Sequence, residues 1–315
     1  MYKLAIVVPC YNEEAILKQT TEVLLNLLEE LIDKAKINPD SYILFVNDGS
    51  RDDTWDILCR EHDLSTKINA ISLAANVGHQ NALLAGLESV MDDCDFAISL
   101  DADLQDDISV IEEMIDKYNA GADIVYGVRN DRKSDSFFKR SSAKLFYKFM
   151  SAMGVKTIEN HADFRLMSAR VLKQLSQYNE RNLFLRGIIP SMGYKTDRVY
   201  YSRLKRTAGK SKYSLGKMIK LAGNGITSFT IRPITLITAL GFIIMLLALA
   251  AFLYTLISYF TGNTEPGWSS LMISIWFLGG VQLFSIGVVG QYVGKAYFEA
   301  KQRPRYDIVE NLKHK

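Results

Sequence analysis

The sequence predicts an α/β domain with a mostly parallel sheet, followed by two membrane-spanning helices. Short apolar runs of strand length alternate with longer segments of helical spacing in the first half of the chain. This alternation favours parallel strands joined by helices on both faces of the sheet. Two later segments, 234–260 and 268–294, contain no charged residue, and each is longer than the roughly 20 residues that span a bilayer.

The predicted strands are apolar, rich in β-branched residues and bounded by polar or turn-forming residues. In chain order they are Leu4–Val8, Tyr42–Val46, Ile68–Leu73, Phe96–Leu100 and Ile124–Tyr126. The predicted helices run over Ile16–Leu31, from Ser50–Asp53 onward, from Asn76–Asn81 onward, and over Ile111–Tyr118. Ser50 and Asp53 have the spacing of a capping box, which predicts that the second helix begins there.

The charge balance, the cysteine spacing and the absence of two motifs argue against several classes of protein. The 315 residues contain 37 Lys and Arg against 35 Asp and Glu, a net charge of +2, which gives no reason to expect a nucleic-acid partner. The three cysteines, Cys10, Cys59 and Cys94, are widely spaced, which favours free thiols in a reducing compartment. The sequence has no GxGxxG after the first strand and no GxxxxGK[ST], so neither a dinucleotide site nor a P-loop is predicted.

An acidic stretch follows the fourth predicted strand. Asp101 and Asp103 are two residues apart, and Gln105 continues that spacing. Oxygen ligands of this kind suit Mg²⁺ or Mn²⁺, which share their remaining coordination positions between water and phosphate. The alternative is an acidic loop that caps the next helix.

Four further polar residues, two of them as a pair, have both a functional and a structural interpretation. Asp48 follows the second strand beside Gly49, where a nucleotide base or ribose is commonly bound, although turn chemistry also explains it. His79, near the start of a helix, can contact a ligand or serve as a structural hydrogen-bonding group. Asp163 and Arg165, flanked by apolar residues, can form a site pair or a structural ion pair.

Two segments are rich in cations. Residues 133–148 are basic and aromatic, which is typical of a membrane-surface helix or of a solvated cationic face. A glycine-containing loop holds four cations close together: Lys205, Arg206, Lys210 and Lys212. Loops of this kind can close over a polyphosphate and balance the charge of a departing diphosphate.

The carboxyl-terminal third predicts a membrane anchor. Residues 213–232 have apolar positions at helical spacing with lysines on another face, which predicts an interfacial amphipathic helix. Basic residues flank the outer ends of the two uncharged segments, so the positive-inside rule places both termini in the cytoplasm. The predicted organisation is therefore a cytoplasmic domain over 1–212, the amphipathic region over 213–232, the membrane helices within 233–294, and a basic cytoplasmic tail over 295–315.

Together these motifs resemble the family 2 glycosyltransferases of the GT-A fold, and more narrowly the polyprenyl-phosphate glycosyltransferases. The resemblance covers essentially the whole chain. Five segments carry it: Val8–Glu14, Asn47–Ser50, Asp101–Gln105, Ala162–Leu166 and Arg206–Tyr213. Asp106 and Asp107 depart from the proline-containing segment of many relatives, and this departure is expected to alter the start of the next helix without changing the chemistry.

The resemblance implies a role for each motif residue. Nucleotide-binding positions are implied at Pro9, Tyr11, Glu13, Asp48, Asp101 and Ala102. Asp103 and Gln105 would hold Mg²⁺ or Mn²⁺ on the diphosphate. Phosphate contacts are implied at Arg129, Arg206, Lys210 and Lys212. Asp163 matches the position of a catalytic base, with Arg165 beside it.

The nucleophile that the resemblance implies argues against a strong base. The second pKa of a phosphate monoester is about 6, so the acceptor is mostly ionised at neutral pH. Asp163 is therefore expected to orient the acceptor, or Arg165, more than to remove a proton. In-line attack on the anomeric carbon would invert its configuration.

The expected function is transfer of glucose from UDP-glucose to undecaprenyl phosphate at the cytoplasmic face of the inner membrane. UDP-N-acetylglucosamine and GDP-mannose are alternative donors. A processive polysaccharide synthase is disfavoured because two spans are too few for a channel. The non-enzyme alternative is a membrane-anchored scaffold that binds a nucleotide sugar. Five glycines of the membrane helices favour a homo-oligomer because small residues allow close helix packing: Gly241, Gly279, Gly280, Gly287 and Gly290.

Overall fold

The computed structural model describes residues 1–130, 161–181, 183–202, 232–261 and 267–314. The chain divides into two compact units. The first unit contains Met1–Tyr147, Lys156–Lys212 and Arg303–Lys315, and the second contains Lys148–Val155 and Tyr213–Gln302.

The first unit is built on an eight-stranded sheet. Its strands are β1 Leu4–Cys10, β2 Tyr42–Asn47, β3 Ile68–Leu73, β4 Phe96–Ser99, β5 Ile124–Arg129, β6 His161–Ser168, β7 Thr196–Tyr201 and β8 Ile308–Leu312. Across the sheet they lie in the order β7-β5-β6-β4-β1-β2-β3-β8. Four neighbouring pairs are parallel, and β6 and β8 run antiparallel to their neighbours. The predicted α/β class with a mostly parallel sheet is confirmed.

The helices of the first unit connect and cover these strands. They are α1 Glu14–Asp33, α2 Thr54–Leu64, α3 His79–Val90, α4 Ile111–Asn119, α5 Ala169–Leu175 and α6 Leu185–Ser191. A short 3-10 helix, Ile108–Val110, precedes α4. The amphipathic α1 buries its apolar stripe, including Leu17, Leu24 and Leu28, in the same core as the β-branched residues of β1. Burial of these side chains on the sheet is the main source of stability for such a layered unit.

The start of α2 differs from the predicted capping box. The α2 N-cap is Asp53, and its side chain makes no capping hydrogen bond. Ser50 Oγ accepts a hydrogen bond from Asn12 N at 3.0 Å, so it joins two loops instead of capping the helix. Asp52 Oδ1 accepts from Thr54 N at 3.2 Å and satisfies a free amide of the first turn.

Three of the eight strands were not predicted: β6, β7 and β8. In β7 only Val199 and Tyr201 are buried, so the strand has no continuous apolar run. β6 contains Asp163 and Arg165, and these charged residues hide the apolar pattern of a buried strand. β8 lies within the predicted basic tail and pairs with β3, which is distant from it in the sequence. Local periodicity cannot reveal a pairing of this kind.

The second unit contains two long helices, α7 Arg232–Phe260 and α8 Trp268–Ala300. Within them, Pro233–Ala251 and Phe277–Ala300 are long and apolar enough to cross a membrane. Helix α8 extends past residue 294, where the predicted span ends. The predicted amphipathic helix and the basic, aromatic segment 133–148 lie outside the described residues.

Candidate active site

Two antiparallel strands bring the acidic motifs together. β6 pairs with β4 in a register that places Arg165 opposite Ser99. Because β4 ends at Ser99, Asp163 lies across from Asp101, just beyond the strand. Ser99 Oγ donates a hydrogen bond to the carbonyl oxygen of Asp163, which fixes the backbone of β6 at this point.

Three cationic or protonatable side chains surround the buried carboxylate of Asp163. Arg165 Nη2 donates to its Oδ1. Arg186, from α6, donates to both oxygens, at 3.2 Å to Oδ1 and 2.9 Å to Oδ2. His79 Nε2, at the start of α3, is 3.6 Å from Oδ2. Burial by itself raises the pKa of Asp163, but His79, Arg186 and Arg165 outweigh it and hold this pKa well below its usual range.

His79 also joins Asp163 to the acidic stretch after β4. Its Nε2 is 3.5 Å from Asp101 Oδ1. Desolvation lowers the pKa of His79, but the nearby carboxylate of Asp163 and the negative charge of Asp101 raise it above its ordinary value. The pKa of Asp101 is raised by desolvation, partly offset by His79, and raised further by Asp163. The site therefore favours a protonated histidine between two carboxyl groups.

Arg165 is fully buried, with 0% of its side chain exposed. Among the residues that the structure describes, its Nε and Nη1 have no hydrogen-bond partner. Burial lowers the pKa of Arg165, while the charge of Asp163 raises it in opposition. Arg165 is buried and pairs with Asp163 through one nitrogen. A change in the orientation of Asp163 is therefore costly, because it would leave a buried positive charge without its partner.

Asp103 and Gln105 lie in direct contact. Gln105 donates to Asp103 from its backbone N at 3.3 Å and from Nε2. Leu104 between them has a φ of 46°, a left-handed conformation that is uncommon for a residue with a branched side chain. This turn folds the two side chains toward each other.

The donor set of this turn fits a hard divalent cation. A carboxylate and an amide oxygen are typical ligands of Mg²⁺ and Mn²⁺ when phosphate and water complete the coordination. Rotation of the Gln105 amide would turn its oxygen toward Asp103 and the cation. Among the described residues there is no group of three or more His, Cys, Asp or Glu side chains arranged to hold a metal.

The positions implied for nucleotide binding lie at the ends of β1, β2 and β4. Pro9 is buried within β1, and Tyr11 is 42% exposed just after it. Glu13 N donates to Thr54 Oγ1 at 2.9 Å and precedes α1. Ala102 is buried, with its carbonyl accepting from Thr20 Oγ1 at 2.8 Å.

Asp48 is almost fully buried and already holds backbone groups. Its carboxylate accepts from Val77 N at 2.7 Å, Gly78 N at 3.1 Å and Asn76 Nδ2 at 3.0 Å. This arrangement matches the turn interpretation, because the carboxylate closes the loop that leads into α3. Desolvation raises the pKa of Asp48, while the bonds from Val77 and Gly78 oppose the increase.

Arg129 lies at the end of β5 and pairs with Asp106. Its Nη2 and Nε lie 2.8 Å and 3.0 Å from Asp106 Oδ1, and Nε is 3.4 Å from the hydroxyl of Tyr201. Asp106, which departs from the family pattern, is only 2% exposed. It ties the acidic loop to the end of β5, a role that was not predicted. The cations for which the resemblance implies phosphate contacts, Arg206, Lys210 and Lys212, lie outside the described residues.

Arg186 is a site residue that the sequence reasoning missed. No motif marks it, and its proximity to Asp163 arises only from the way α6 packs beside β6 and α3. Leu185 N donates to Gln80 Oε1 at 3.1 Å, a contact that joins the start of α6 to the start of α3. The sequence predicted His79 near the start of a helix and left both interpretations of this residue open.

The fold and the acidic strand ends define a class of protein. The chain belongs to Glycosyl transferase family 2, whose sequence profile matches residues 5–176. It is 51% identical over 305 residues to an uncharacterized glycosyltransferase, YkoT, of Bacillus subtilis (strain 168), covering 97% of this chain and 90% of that protein.

Two further relatives carry a more specific description. The chain is 40% identical over 319 residues to the "Bactoprenol glucosyl transferase" of Shigella phage SfV, covering 99% of this chain and 100% of that protein. It is 39% identical over 316 residues to the "Prophage bactoprenol glucosyl transferase homolog" of Escherichia coli (strain K12), covering 99% of each.

Proposed function

We propose that this protein transfers glucose from UDP-glucose to undecaprenyl phosphate, with inversion at the anomeric carbon. The support for the substrate class is the near full-length similarity to the phage bactoprenol glucosyl transferase. The two apolar helices long enough to cross a membrane support a lipid acceptor, because a polyprenyl phosphate stays in the bilayer. On this proposal the catalytic domain and both termini lie in the cytoplasm, at the inner face of the membrane.

The observation that carries the proposed mechanism is the charge environment of Asp163. A carboxylate whose pKa lies well below its usual range is a weak base. An ionised phosphate acceptor needs no strong base, since its second pKa is about 6. Asp163 therefore orients Arg165 and Arg186, and Arg186 faces the acceptor phosphate as a positively charged partner.

Asp103 and Gln105 would hold Mg²⁺ or Mn²⁺ in this enzyme. A bound divalent cation supplies charge neutralisation for the departing nucleoside diphosphate. Asp101 and Ala102 position the nucleoside, together with the segment from Pro9 to Glu13. Asp48 contributes to the nucleoside pocket through the loop that it closes, and Arg129, Arg206, Lys210 and Lys212 add positive charge near the phosphates.

Other donors and a non-catalytic role are the alternatives. UDP-N-acetylglucosamine or GDP-mannose would use the same residues, because the residues that read the sugar are not distinguished by these motifs. A scaffold that only binds a nucleotide sugar would not need the Asp163 cluster. Self-association through the glycines of the membrane helices is part of the proposal as a homo-oligomer.

The test is transfer from radiolabelled UDP- and GDP-sugars to undecaprenyl phosphate by the full-length protein, with Mg²⁺, Mn²⁺ or a chelator. We expect one labelled lipid product, lost with chelator and in Asp103→Ala. Asp92→Ala is the matched control, because Asp92 forms only an exposed ion pair with Lys173. Binding of nucleotide sugar without any lipid product, from every donor tried, would reject the enzymatic proposal.

A further inference from the structure

The carboxyl-terminal segment, Arg303–Lys315, is part of the first unit and adds a strand to its sheet. β8 pairs with β3 in antiparallel register, from Ala70 opposite Leu312 to Leu73 opposite Ile308. Ala74 N donates to the carbonyl oxygen of Asp307 at 3.0 Å, which extends the pairing by one step. These contacts place residues 304–306, just before β8, against the rest of the unit.

Residues 305 and 306 bind the far end of α3. Arg305 Nη2 is 2.8 Å from Glu88 Oε1, and the Tyr306 hydroxyl donates to Glu88 Oε2. The ion pair is partly buried, with 13% of the Arg305 side chain and 17% of the Glu88 side chain exposed. A pair of this kind is costly to break from one side, because the remaining charge loses its partner away from bulk water.

The same segment binds the connection between α5 and α6. Arg305 Nη1 donates to the carbonyl oxygen of Tyr178 at 2.7 Å. Arg181 Nη2 donates to the carbonyl oxygen of Pro304 at 2.9 Å. This connection leads directly into α6, which carries Arg186. Arg305 thus bridges α3 and the chain before α6.

Each of the two helices that Arg305 links brings one side chain to Asp163. α3 begins at His79 and α6 holds Arg186 one residue from its start, and both side chains contact Asp163. We propose that residues 304–306 are a positioning clamp, in which Arg305 and Glu88 hold α3 and α6 so that His79 and Arg186 meet Asp163. The expected effect on sugar transfer rests on the proposed function. The positioning of α3 and α6 does not.

The kinetic test uses the full-length protein with Glu88→Gln, which keeps the shape of the side chain and removes its charge. We expect the rate of transfer at saturating donor to fall about tenfold, since small displacements of positioned groups cost this much or more. Donor binding should change less than about twofold, because the nucleoside positions are elsewhere. Lys313→Gln is the matched control: Lys313 lies in the same tail, and its ion pair is with Asp93, which follows α3 and is not part of the link between Glu88 and Arg305.

A double-mutant cycle separates positioning from a general loss of stability. If the clamp acts through Arg186, Glu88→Gln should cost little further activity in an Arg186→Lys background. An equal fold loss of activity from Glu88→Gln in the wild-type and in the Arg186→Lys background would overturn the clamp.

Hydrogen exchange tests the clamp without any assay of transfer. In Glu88→Gln and in Arg305→Ala, amides of the segment 178–188 should exchange faster than in the wild type and in Lys313→Gln. Faster exchange confined to residues 303–314 would overturn the proposal. A wild-type protein that makes no lipid product would reject the proposed function and leave this measurement to decide the clamp.

Discussion

At the scale of single residues, the candidate site is arranged around one carboxylate that three other side chains contact. Asp163 contacts Arg165 within its own strand, Arg186 from α6 and His79 from α3. Each contact favours the ionised carboxylate, so the residue that matches a catalytic base is held in the form with the least tendency to accept a proton. On the proposed function, its position across from Asp101 is where the acceptor would meet the donor.

Replacement of Asp163 by asparagine distinguishes orientation from proton removal. Loss of a general base costs about 10²–10⁴-fold in rate. We expect Asp163→Asn to stay within about tenfold of the wild type, because the amide keeps the shape of the carboxylate and the acceptor is already ionised. The measurement is the transfer rate between about pH 6 and pH 9. Near-total loss with rescue at high pH would contradict the orienting role.

His79 predicts a dependence of stability on pH. Its folded-state pKa is raised above the ordinary value by Asp163 and Asp101. The stabilising contribution of protonated His79 is therefore complete below the unfolded-state pKa, about 6.5, and is lost as the pH rises through the folded-state pKa. Thermal unfolding with chelator should show a wild-type advantage over His79→Gln at about pH 6 that shrinks toward pH 9. An advantage that is constant across this range would exclude the pairing.

At the scale of elements, α3 lies very close to the sheet. A Cβ on Gly86 would lie 2.4 Å from Val7 Cγ1 and 2.7 Å from Val46 Cγ2. Both valines belong to central strands, and their branched side chains have little room to move. Glycine at this position allows the helix that carries His79 and Glu88 to approach β1 and β2.

Gly86→Ala sets two effects against each other. Alanine improves helix propensity by about 1 kcal/mol, whereas overpacking a core costs about 1–3 kcal/mol. We expect net destabilisation of about 1 kcal/mol, measured as the free energy of unfolding in denaturant. Ser89→Ala on the same helix is the control, since Ser89 Oγ only donates to the Ala85 carbonyl. A more stable Gly86→Ala protein would show that the strands yield to the added methyl group.

Elements with a continuous local pattern could be predicted from the sequence. The five apolar strands and α1, α3 and α4 are present near their predicted positions. The strands are buried on both faces and therefore appear as continuous apolar runs, whereas the helices carry apolar residues at helical spacing. β6 escaped prediction since Asp163 and Arg165 interrupt its apolar run. The contact of Arg186 with Asp163 depends on the packing of α6, which no spacing along the chain encodes. Asp106 likewise gained its partner Arg129 only through the fold.

At the scale of the whole molecule, the first unit uses both ends of the chain. β1 lies near the centre of its sheet, and β8 forms one edge beside β3. An unpaired edge strand presents backbone amides and carbonyls to other molecules and favours aggregation. β8 covers this edge of β3, which is fully buried, and replaces it with the edge of a shorter, mostly exposed strand that carries Glu310.

Deletion of residues 303–315 should therefore increase self-association. The β3 edge, Ile68–Leu73, would lose its antiparallel partner, and we expect larger species by size-exclusion chromatography in detergent. Val309→Thr is the control, because strand pairing uses the backbone and Val309 is 56% exposed. A truncated protein that elutes like the wild type would show that β8 does not protect the edge.

The pairing of β3 with β8 also sets an order for biosynthesis. β3 leaves the ribosome early, while its partner is made only after both long apolar helices, α7 and α8. Pairings so distant in sequence form slowly, because a long loop must close before they contribute. The last folding step of the sheet must therefore wait until the apolar helices have been synthesised, and until then β3 lacks its β8 partner.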